Sequence, residues 1–83
     1  MEKYLVDIYL PACGKHYDAF LPMEKRIYEV TQLLVGMAGP LSGGSYKGTK
    51  DAMLLDAESG EPLLPNETVY DAGIRNASRL ILI

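Results

Sequence analysis

The sequence contains no tryptophan and only one phenylalanine, one cysteine and one histidine among its 83 residues. A single cysteine excludes an internal disulfide and favours a reducing compartment. A structural zinc site normally uses four Cys or His ligands, and this sequence offers only Cys13 and His16. With so few aromatic rings, we expect an aliphatic core supported by some of the six tyrosines.

An excess of positive charge is also lacking. Eight Lys and Arg against eleven Asp and Glu give a net charge of −3. Binding to nucleic acid or to an anionic membrane requires a basic stripe, so we expect neither. No run approaches the ~20 apolar residues of a membrane span, and residues 1–7 do not resemble a signal peptide. The sequence therefore predicts a cytoplasmic protein without direct membrane insertion.

The length and the hydrophobic content fit one small globular domain, which we place at residues 1–83. Hydrophobic residues make up 48% of the chain, as in ordinary folded proteins. A chain this short buries only about 60% of its unfolded surface, which leaves little material for a deep catalytic pocket. We therefore expect neither an enzyme nor a cofactor.

Alternating apolar and polar residues predict an antiparallel hairpin in the first quarter of the chain. Strands over 4–10 and 16–21 flank the turn at 11–15, which contains a proline and a glycine. If Asp7 and Asp18 face water, the period of two turns one face of each strand inward. The inward residues are then Tyr4, Val6, Ile8, Leu10, Tyr17, Ala19 and Leu21.

The hydrophobic period changes from two to between three and four after the hairpin, which predicts a helix. The apolar stripe is formed by Ile27, Val30, Leu34 and Met37, with Leu33 beside it. We place this helix at about 24–38, with Glu24 near its N-terminus and with Gly36, Gly39 and Pro40 ending it.

The remaining residues predict a loop and short strands. The glycines of segment 39–51 predict a mobile loop. Residues 52–56 are predicted to form a strand, and residues 62–65 at most a short edge strand because of their prolines. Thr68 can cap a single helical turn that ends at Gly73, and the strand 79–83 follows. The predicted fold is α+β: a β-grasp with a mixed four- to five-stranded sheet packed on one α-helix.

The final third of the sequence resembles the ubiquitin superfamily. The resemblance is carried by Leu54-Leu55, by Gly60-Glu61-Pro62-Leu63, by the run from Thr68 to Ile74, and by Leu80-Ile81-Leu82-Ile83. Within that superfamily the sequence is most similar to the YukD-like family, small proteins of the type VII secretion systems of Gram-positive bacteria. This resemblance implies a bacterial accessory or regulator that binds proteins and catalyses no reaction.

The last residues bear on the alternative function, that of a ubiquitin-like modifier or sulfur carrier. Such proteins act through a flexible tail ending in two glycines, because only an unhindered tail enters an activating enzyme. Here the sequence ends with the apolar run 80–83. We therefore expect no conjugation, unless a diglycine tail has been lost or truncated.

Three further groups of residues suggest chemistry only superficially. Residues 43–50 resemble a phosphate loop, but the order Gly48-Thr49-Lys50 differs from the required G-K-[ST], and a strand follows rather than a helix. Cys13 and His16 lack the third group that a nucleophile needs. Glu58 and Glu61 lie in a polar turn, where we expect solvated carboxylates.

The sheet face without the helix is the predicted functional surface, since a cluster of exposed apolar residues marks an interface. The residues expected there are Leu5, Tyr9, Phe20, Leu55, Ile81 and Ile83. The inward orientation of Leu80 and Leu82 rests on the resemblance. The predicted partners are proteins, with secretion-machinery components as one candidate and a second copy of the chain as another.

Overall fold

The computed structural model describes residues 2–48 and 51–83, which form one sheet and one helix. The elements in chain order are β1 Lys3–Leu10, β2 Lys15–Pro22, α1 Ile27–Leu41, β3 Leu54–Asp56 and β4 Arg79–Leu82. The sheet has the strand order β2-β1-β4-β3, with β1 and β4 parallel and the other neighbours antiparallel. The predicted β-grasp fold is confirmed. Its described part has four strands, because Pro62 makes only an isolated bridge to Leu55.

The core follows the predicted alternation along the strands. The four inward residues of β1 are all buried, as are Ala19 and Leu21 of β2. Leu80 and Leu82 of β4 are 2% and 1% exposed and face the same layer. Each fully buried aliphatic side chain contributes about 1.5–3 kcal/mol relative to an exposed one, so this two-layer core is the main source of stability.

The helix begins at Ile27 rather than at the predicted residue 24. Its first amides are bound by a distant segment: Ile27 N–H donates to the Glu67 carbonyl at 2.8 Å, and Tyr28 N–H to the Pro65 carbonyl at 3.1 Å. The preceding Lys25 carbonyl accepts from Val69 N–H at 2.8 Å. Because these bonds hold the preceding segment against residues 65–69, the helix starts later than its charge pattern suggests.

The helix also continues to Leu41, past the predicted end at 38. Pro40 is tolerated because it lies in the last turn, where only one helical hydrogen bond is lost. Ser42 then closes the end, with its N–H donating to the Ala38 carbonyl at 2.9 Å and its hydroxyl to the Gly39 carbonyl at 3.0 Å. Local capping therefore outweighs the breaking tendency of glycine and proline here.

The buried face of α1 is rotated slightly from the predicted stripe. Met37 is 49% exposed and Leu33 is 58% exposed, whereas Thr31 and Ala38 are buried. Thr31 tolerates burial because its hydroxyl donates to the Ile27 carbonyl at 2.7 Å. The prediction was wrong for Met37, and an apolar strip of the helix remains at the surface.

The loop predicted at 39–51 begins only after α1 ends at Leu41, and part of it packs on the core. Tyr46 is 6% exposed and belongs to the core cluster. Gly48 lies against Val35 and Tyr46 so closely that a Cβ atom would collide with both side chains. Thr49 and Lys50 lie outside the described residues.

The predicted capped turn near the C-terminus is confirmed. The Thr68 hydroxyl accepts a hydrogen bond from Asp71 N–H at 3.0 Å, and Ala72 N–H donates to the Thr68 carbonyl at 2.9 Å. Gly73 has a φ of +84°, which a glycine adopts without strain. Ile74 is then buried.

Candidate interaction surface

The outer sheet face, opposite α1, carries all six predicted surface residues. Leu5, Phe20 and Ile83 are 41%, 65% and 51% exposed, and the other three are half-buried. The strand register pairs Leu5 with Phe20 across β1 and β2. It also pairs Tyr9 with Ile81 and Ile81 with Leu55. Facing residues on adjacent strands lie side by side, so the register defines which side chains form a patch.

The six residues form two patches rather than one. The major patch consists of Tyr9, Leu55, Ile81 and Ile83, and the minor patch of Leu5 and Phe20. A charged row of Asp18, Asp7 and Arg79 runs across β2, β1 and β4 between them. The period of two placed Leu5, Tyr9 and Phe20 on this face, and the resemblance placed Ile81 and Ile83 there. The charged row that separates the two patches follows only from the register.

Asp7 and Asp18 are directly opposite each other in the charged row. His16 relieves part of this repulsion, because its Nδ1 lies 2.7 Å from Asp7 Oδ2. A carboxylate only accepts, so Nδ1 carries the proton of this bond. The His16 ring also packs on Tyr9, with 4.7 Å between ring centroids. Within the described part of the chain, Asp18 has no ion-pair partner.

Two apolar residues that the sequence analysis missed extend the major patch. Met53 is 40% exposed and exchanges two backbone hydrogen bonds of 3.0 Å with Ile83. Pro62 forms a bridge with Leu55, which places it at the β3 edge of the patch. Met53 lies two residues before Leu55, so alternation along the strand places both side chains on the same face and could have identified Met53. The position of Pro62 depends on a tertiary bridge and had no local signal.

A polar cleft of 360 Å³ beside the turn after β3 is lined by Glu58 and Glu61, whose carboxylates we expected to be solvated. The side chain of Glu58 is 76% exposed, and its Oε1 lies 3.7 Å from Arg79 Nη2. Asp56 accepts hydrogen bonds from the Ser59 hydroxyl and from the amides of Glu58 and Ser59, and these bonds lower its pKa. The carboxylates therefore organise a solvated turn, and the expected solvated state of Glu58 agrees with its exposure.

Cys13 and His16 do not act together. The Cys13 Sγ is directed to the Leu10 carbonyl at 3.8 Å, while His16 bonds Asp7. Among residues 2–48 and 51–83, no three His, Cys, Asp or Glu side chains converge as a metal site.

The glycine-rich segment follows the C-terminus of α1 and leads to β3. A phosphate loop requires the opposite order, with a helix N-terminus after the glycines. Gly43 and Gly44 have φ values of +65° and +90° and form the turn after the helix. Thr49 and Lys50, the two residues compared with the Lys and Ser or Thr of a phosphate loop, lie outside the described residues. None of the helices in the described part has the length and hydropathy needed to cross a membrane.

The fold is shared with known ubiquitin-like structures, although no protein-family model and no curated protein matches the sequence. The EccD5 ubiquitin-like domain from Mycobacterium xenopi matches with a TM-score of 0.76 at 18% identity, over 100% of this chain and 94% of that chain. Ubiquitin from Caldiarchaeum subterraneum matches with a TM-score of 0.74 at 17% identity, over 98% and 91%.

A chain of a toluene 4-monooxygenase complex with the inhibitor 4-bromobenzoate also matches, with a TM-score of 0.76 at 8% identity, over 98% of this chain and 96% of that chain. At such low identities, structural likeness establishes the fold and leaves function to the surface of this chain. The protein therefore has the β-grasp fold of ubiquitin-like domains.

Proposed function

We propose that residues 1–83 form a non-catalytic ubiquitin-like interaction module that binds a protein partner through the major patch. The observation that carries this proposal is the apolar cluster of Tyr9, Leu55, Ile81 and Ile83 on a sheet face that no element of the described chain covers. The row of Asp18, Asp7 and Arg79 borders this cluster. Apolar side chains beside charged groups are typical of protein interfaces, because burying the apolar surface on association is favourable.

The biological setting that we propose is type VII secretion, with this protein as a cytoplasmic bacterial accessory or regulator. The likeness to the EccD5 ubiquitin-like domain is consistent with that role. The YukD-like sequence resemblance supports the same setting. The partner is then a component of the secretion machinery.

The decisive variant is Ile81→Asp in the centre of the major patch. We expect it to remain folded, because Ile81 points away from α1 and its removal opens no core cavity. Binding to secretion-machinery proteins encoded in the same genome should be lost, since an unpaired carboxylate at an interface centre costs several kcal/mol. Thermal unfolding and calorimetric titration measure the two properties separately.

Phe20→Asp is the matched control, because it places the same charge on the same face but in the minor patch. It should leave partner binding within a few-fold of the wild type. If Ile81→Asp unfolds the chain, Ile81 belongs to the core. If Ile81→Asp stays folded and keeps every partner, the major patch is not the binding surface.

The alternative function, a modifier or sulfur carrier, requires a flexible diglycine tail. Residues up to 83 supply none, since Ile83 is bound in the sheet by its two hydrogen bonds to Met53. The codons that follow Ile83 in the gene distinguish the two functions. A Gly-Gly continuation, together with adenylation of its terminal carboxylate by an activating enzyme, would replace our proposal with the alternative.

A further inference from the structure

The strand order places β2 and β3 at the two edges of the sheet. Residues 61–63 bond to β3, with Asp56 N–H donating to the Glu61 carbonyl at 3.0 Å and Leu63 N–H to the Leu54 carbonyl at 2.9 Å, so β2 is the free edge within the described residues. Met23 N–H donates to the Glu2 carbonyl at 3.0 Å, and bonded and non-bonded pairs alternate along an antiparallel ladder. The bonded residues of β2 are therefore 15, 17, 19 and 21. The backbone N–H and C=O groups of His16, Asp18 and Phe20 point out of the sheet. Such an edge is a template for a further strand.

Two further features lie along the same edge. On the outer face, Asp18 faces the like charge of Asp7 and has no cationic partner within the described residues. On the helix face, the strip of Leu33, Met37 and Leu41 is 49–58% exposed. Met37 and Leu41 line a cleft with Tyr17 of β2, whose hydroxyl donates to the Leu41 carbonyl at 2.7 Å.

We propose that a second copy of this chain docks on the β2 edge, so that two β2 strands pair antiparallel and form a two-fold symmetric dimer with one continuous sheet. Only residues whose backbone points outward can bond across such an edge. A register in which at least two of His16, Asp18 and Phe20 bond to their counterparts in the partner has its symmetry axis at residue 17, 18 or 19. These three registers place different side chains opposite Asp18.

Charge selects the register centred on Tyr17. An axis at residue 18 places Asp18 against the partner's Asp18, and like charges directly opposite are destabilising. An axis at residue 19 places Asp18 against the partner's Phe20 and His16 against the partner's Pro22, which has no N–H to donate. The axis at Tyr17 instead places His16 opposite the partner's Asp18 twice, once on each side of the axis.

The His16 side chain suits this pairing. Its Nδ1 is bound to Asp7, while Nε2 has no partner among the described residues, and the side chain is 61% exposed. Each ring then donates to two carboxylates, through Nδ1 to Asp7 of its own chain and through Nε2 to the partner's Asp18, so the dimer holds His16 as the imidazolium with both nitrogens protonated. On the other face, the two Tyr17 side chains meet at the axis beside the exposed α1 strip. The dimer thereby covers apolar surface that the monomer leaves open.

The dimer is distinct from the surface of the proposed function. Extension through β2 leaves both major patches uncovered and on the same side of the continuous sheet. Ile81→Asp should therefore not change the dimerisation constant, whereas changes at β2 should not change the intrinsic affinity of one major patch. Failure of either proposal can be recognised without reference to the other.

Two charge-changing variants, studied separately and as a mixture, test the pairing of His16 with the partner's Asp18. Wild-type protein should form a dimer in sedimentation equilibrium between micromolar and millimolar concentrations. His16→Asp and Asp18→Lys should each weaken the dimer by roughly tenfold or more, because each removes both cross-axis pairs. A mixture of the two variants should restore association. In the mixed dimer the introduced aspartate faces the introduced lysine on one side of the axis, and the original pair of Asp18 with His16 remains on the other.

Three outcomes of these measurements would overturn the dimer or its register. A wild-type chain that stays monomeric at millimolar concentration overturns the proposal and leaves the edge to a strand of another protein. A dimer that neither variant weakens uses a different surface. Weakened variants whose mixture shows no recovery exclude the register centred on Tyr17. Far-ultraviolet circular dichroism checks that both variants keep the fold.

A disulfide trap gives an independent readout that does not depend on charge. In a Cys13→Ser background, Tyr17→Cys places two cysteines at a non-bonded antiparallel pair, about 4.5 Å apart at Cα, within bridging range. Mild oxidation should give a covalent dimer. The control Ala19→Cys should remain unlinked, because in this register residue 19 faces the partner's Lys15. The reverse outcome would overturn the register.

Discussion

Truncation of Val30 to alanine tests the buried face of α1 on which the sheet orientation depends. Val30 is 0% exposed and lies in the core cluster with Ile8 and Leu80. The change removes two buried carbon groups, each contributing about 0.8 kcal/mol, and leaves a cavity that adds about 24 cal/mol per Å³. The higher helix propensity of alanine offsets up to ~0.7 kcal/mol. We expect a net loss of roughly 1–3 kcal/mol in the free energy of unfolding.

Urea titration at dilute protein concentration measures this loss. A lower midpoint with an unchanged slope shows that stability, rather than the exposed surface of the unfolded state, has changed. Thermal unfolding should shift by about 4–8 °C for each kcal/mol in a domain of this size. Val35→Ala is the matched control, because it makes the same deletion in the same helix at a half-buried position.

The difference between the two variants isolates burial, since both gain the same helix propensity. Val35→Ala should lose less than half as much stability as Val30→Ala. A loss for Val30→Ala below about 0.3 kcal/mol, within the error of the extrapolation, would refute the assignment of the buried helix face. Equal losses for the two variants would refute it as well.

Two pH-dependent predictions concern groups outside the interaction surfaces. Hydrogen bonds from Ser59 and Glu58 hold the pKa of Asp56 below its ordinary 3.8. This carboxylate therefore stabilises the fold above pH 3.8, and its contribution is lost as the pH falls through the folded-state pKa. Asp56→Ala should destabilise the protein at neutral pH and converge with the wild type in acid; a gap that persists at about pH 2 contradicts this. Burial raises the pKa of Tyr46 above 10.0, and its hydroxyl has no hydrogen-bond partner in the described chain. Tyr46→Phe should therefore gain about 1 kcal/mol, with the gap widening above pH 10.0 as only the unfolded tyrosine ionises readily; a less stable variant in denaturant titration would contradict this.

The hairpin and the final strand were predictable from the sequence because their information is local. Alternation with a period of two, anchored by Asp7 and Asp18, placed the inward residues of β1 and β2 correctly. Proline and glycine in the turn, and a threonine before the single helical turn at 69–72, are signals that act over a few residues. The positions of these elements therefore required no knowledge of their neighbours.

The limits of α1 could not be derived in the same way. Its start at Ile27 depends on carbonyl groups of Pro65 and Glu67, nearly forty positions further along the chain. Its end at Leu41 depends on how Ser42 closes the last turn around Pro40. The burial of Tyr46 likewise depends on Gly48 passing close to Val35. Contacts between distant segments leave no periodic trace in the sequence.

The candidate interaction surface was likewise predictable only in part. The sequence by itself determined that Leu5, Tyr9 and Phe20 share the outer sheet face, because side-chain orientation in a strand alternates and Asp7 and Asp18 face water. The outward orientation of Ile81 and Ile83 rested on the resemblance, and that of Leu55 on Leu54 facing the core. Tertiary structure decided that these six side chains form two patches, since the pairing of β1 with β2 and β4 brings Asp18, Asp7 and Arg79 into one row. It also decided that β2 is a free edge and that Met37 remains exposed beside it. Orientation is a property of each strand, whereas register, strand order and helix docking are properties of elements packed together, and only the folded chain settles them.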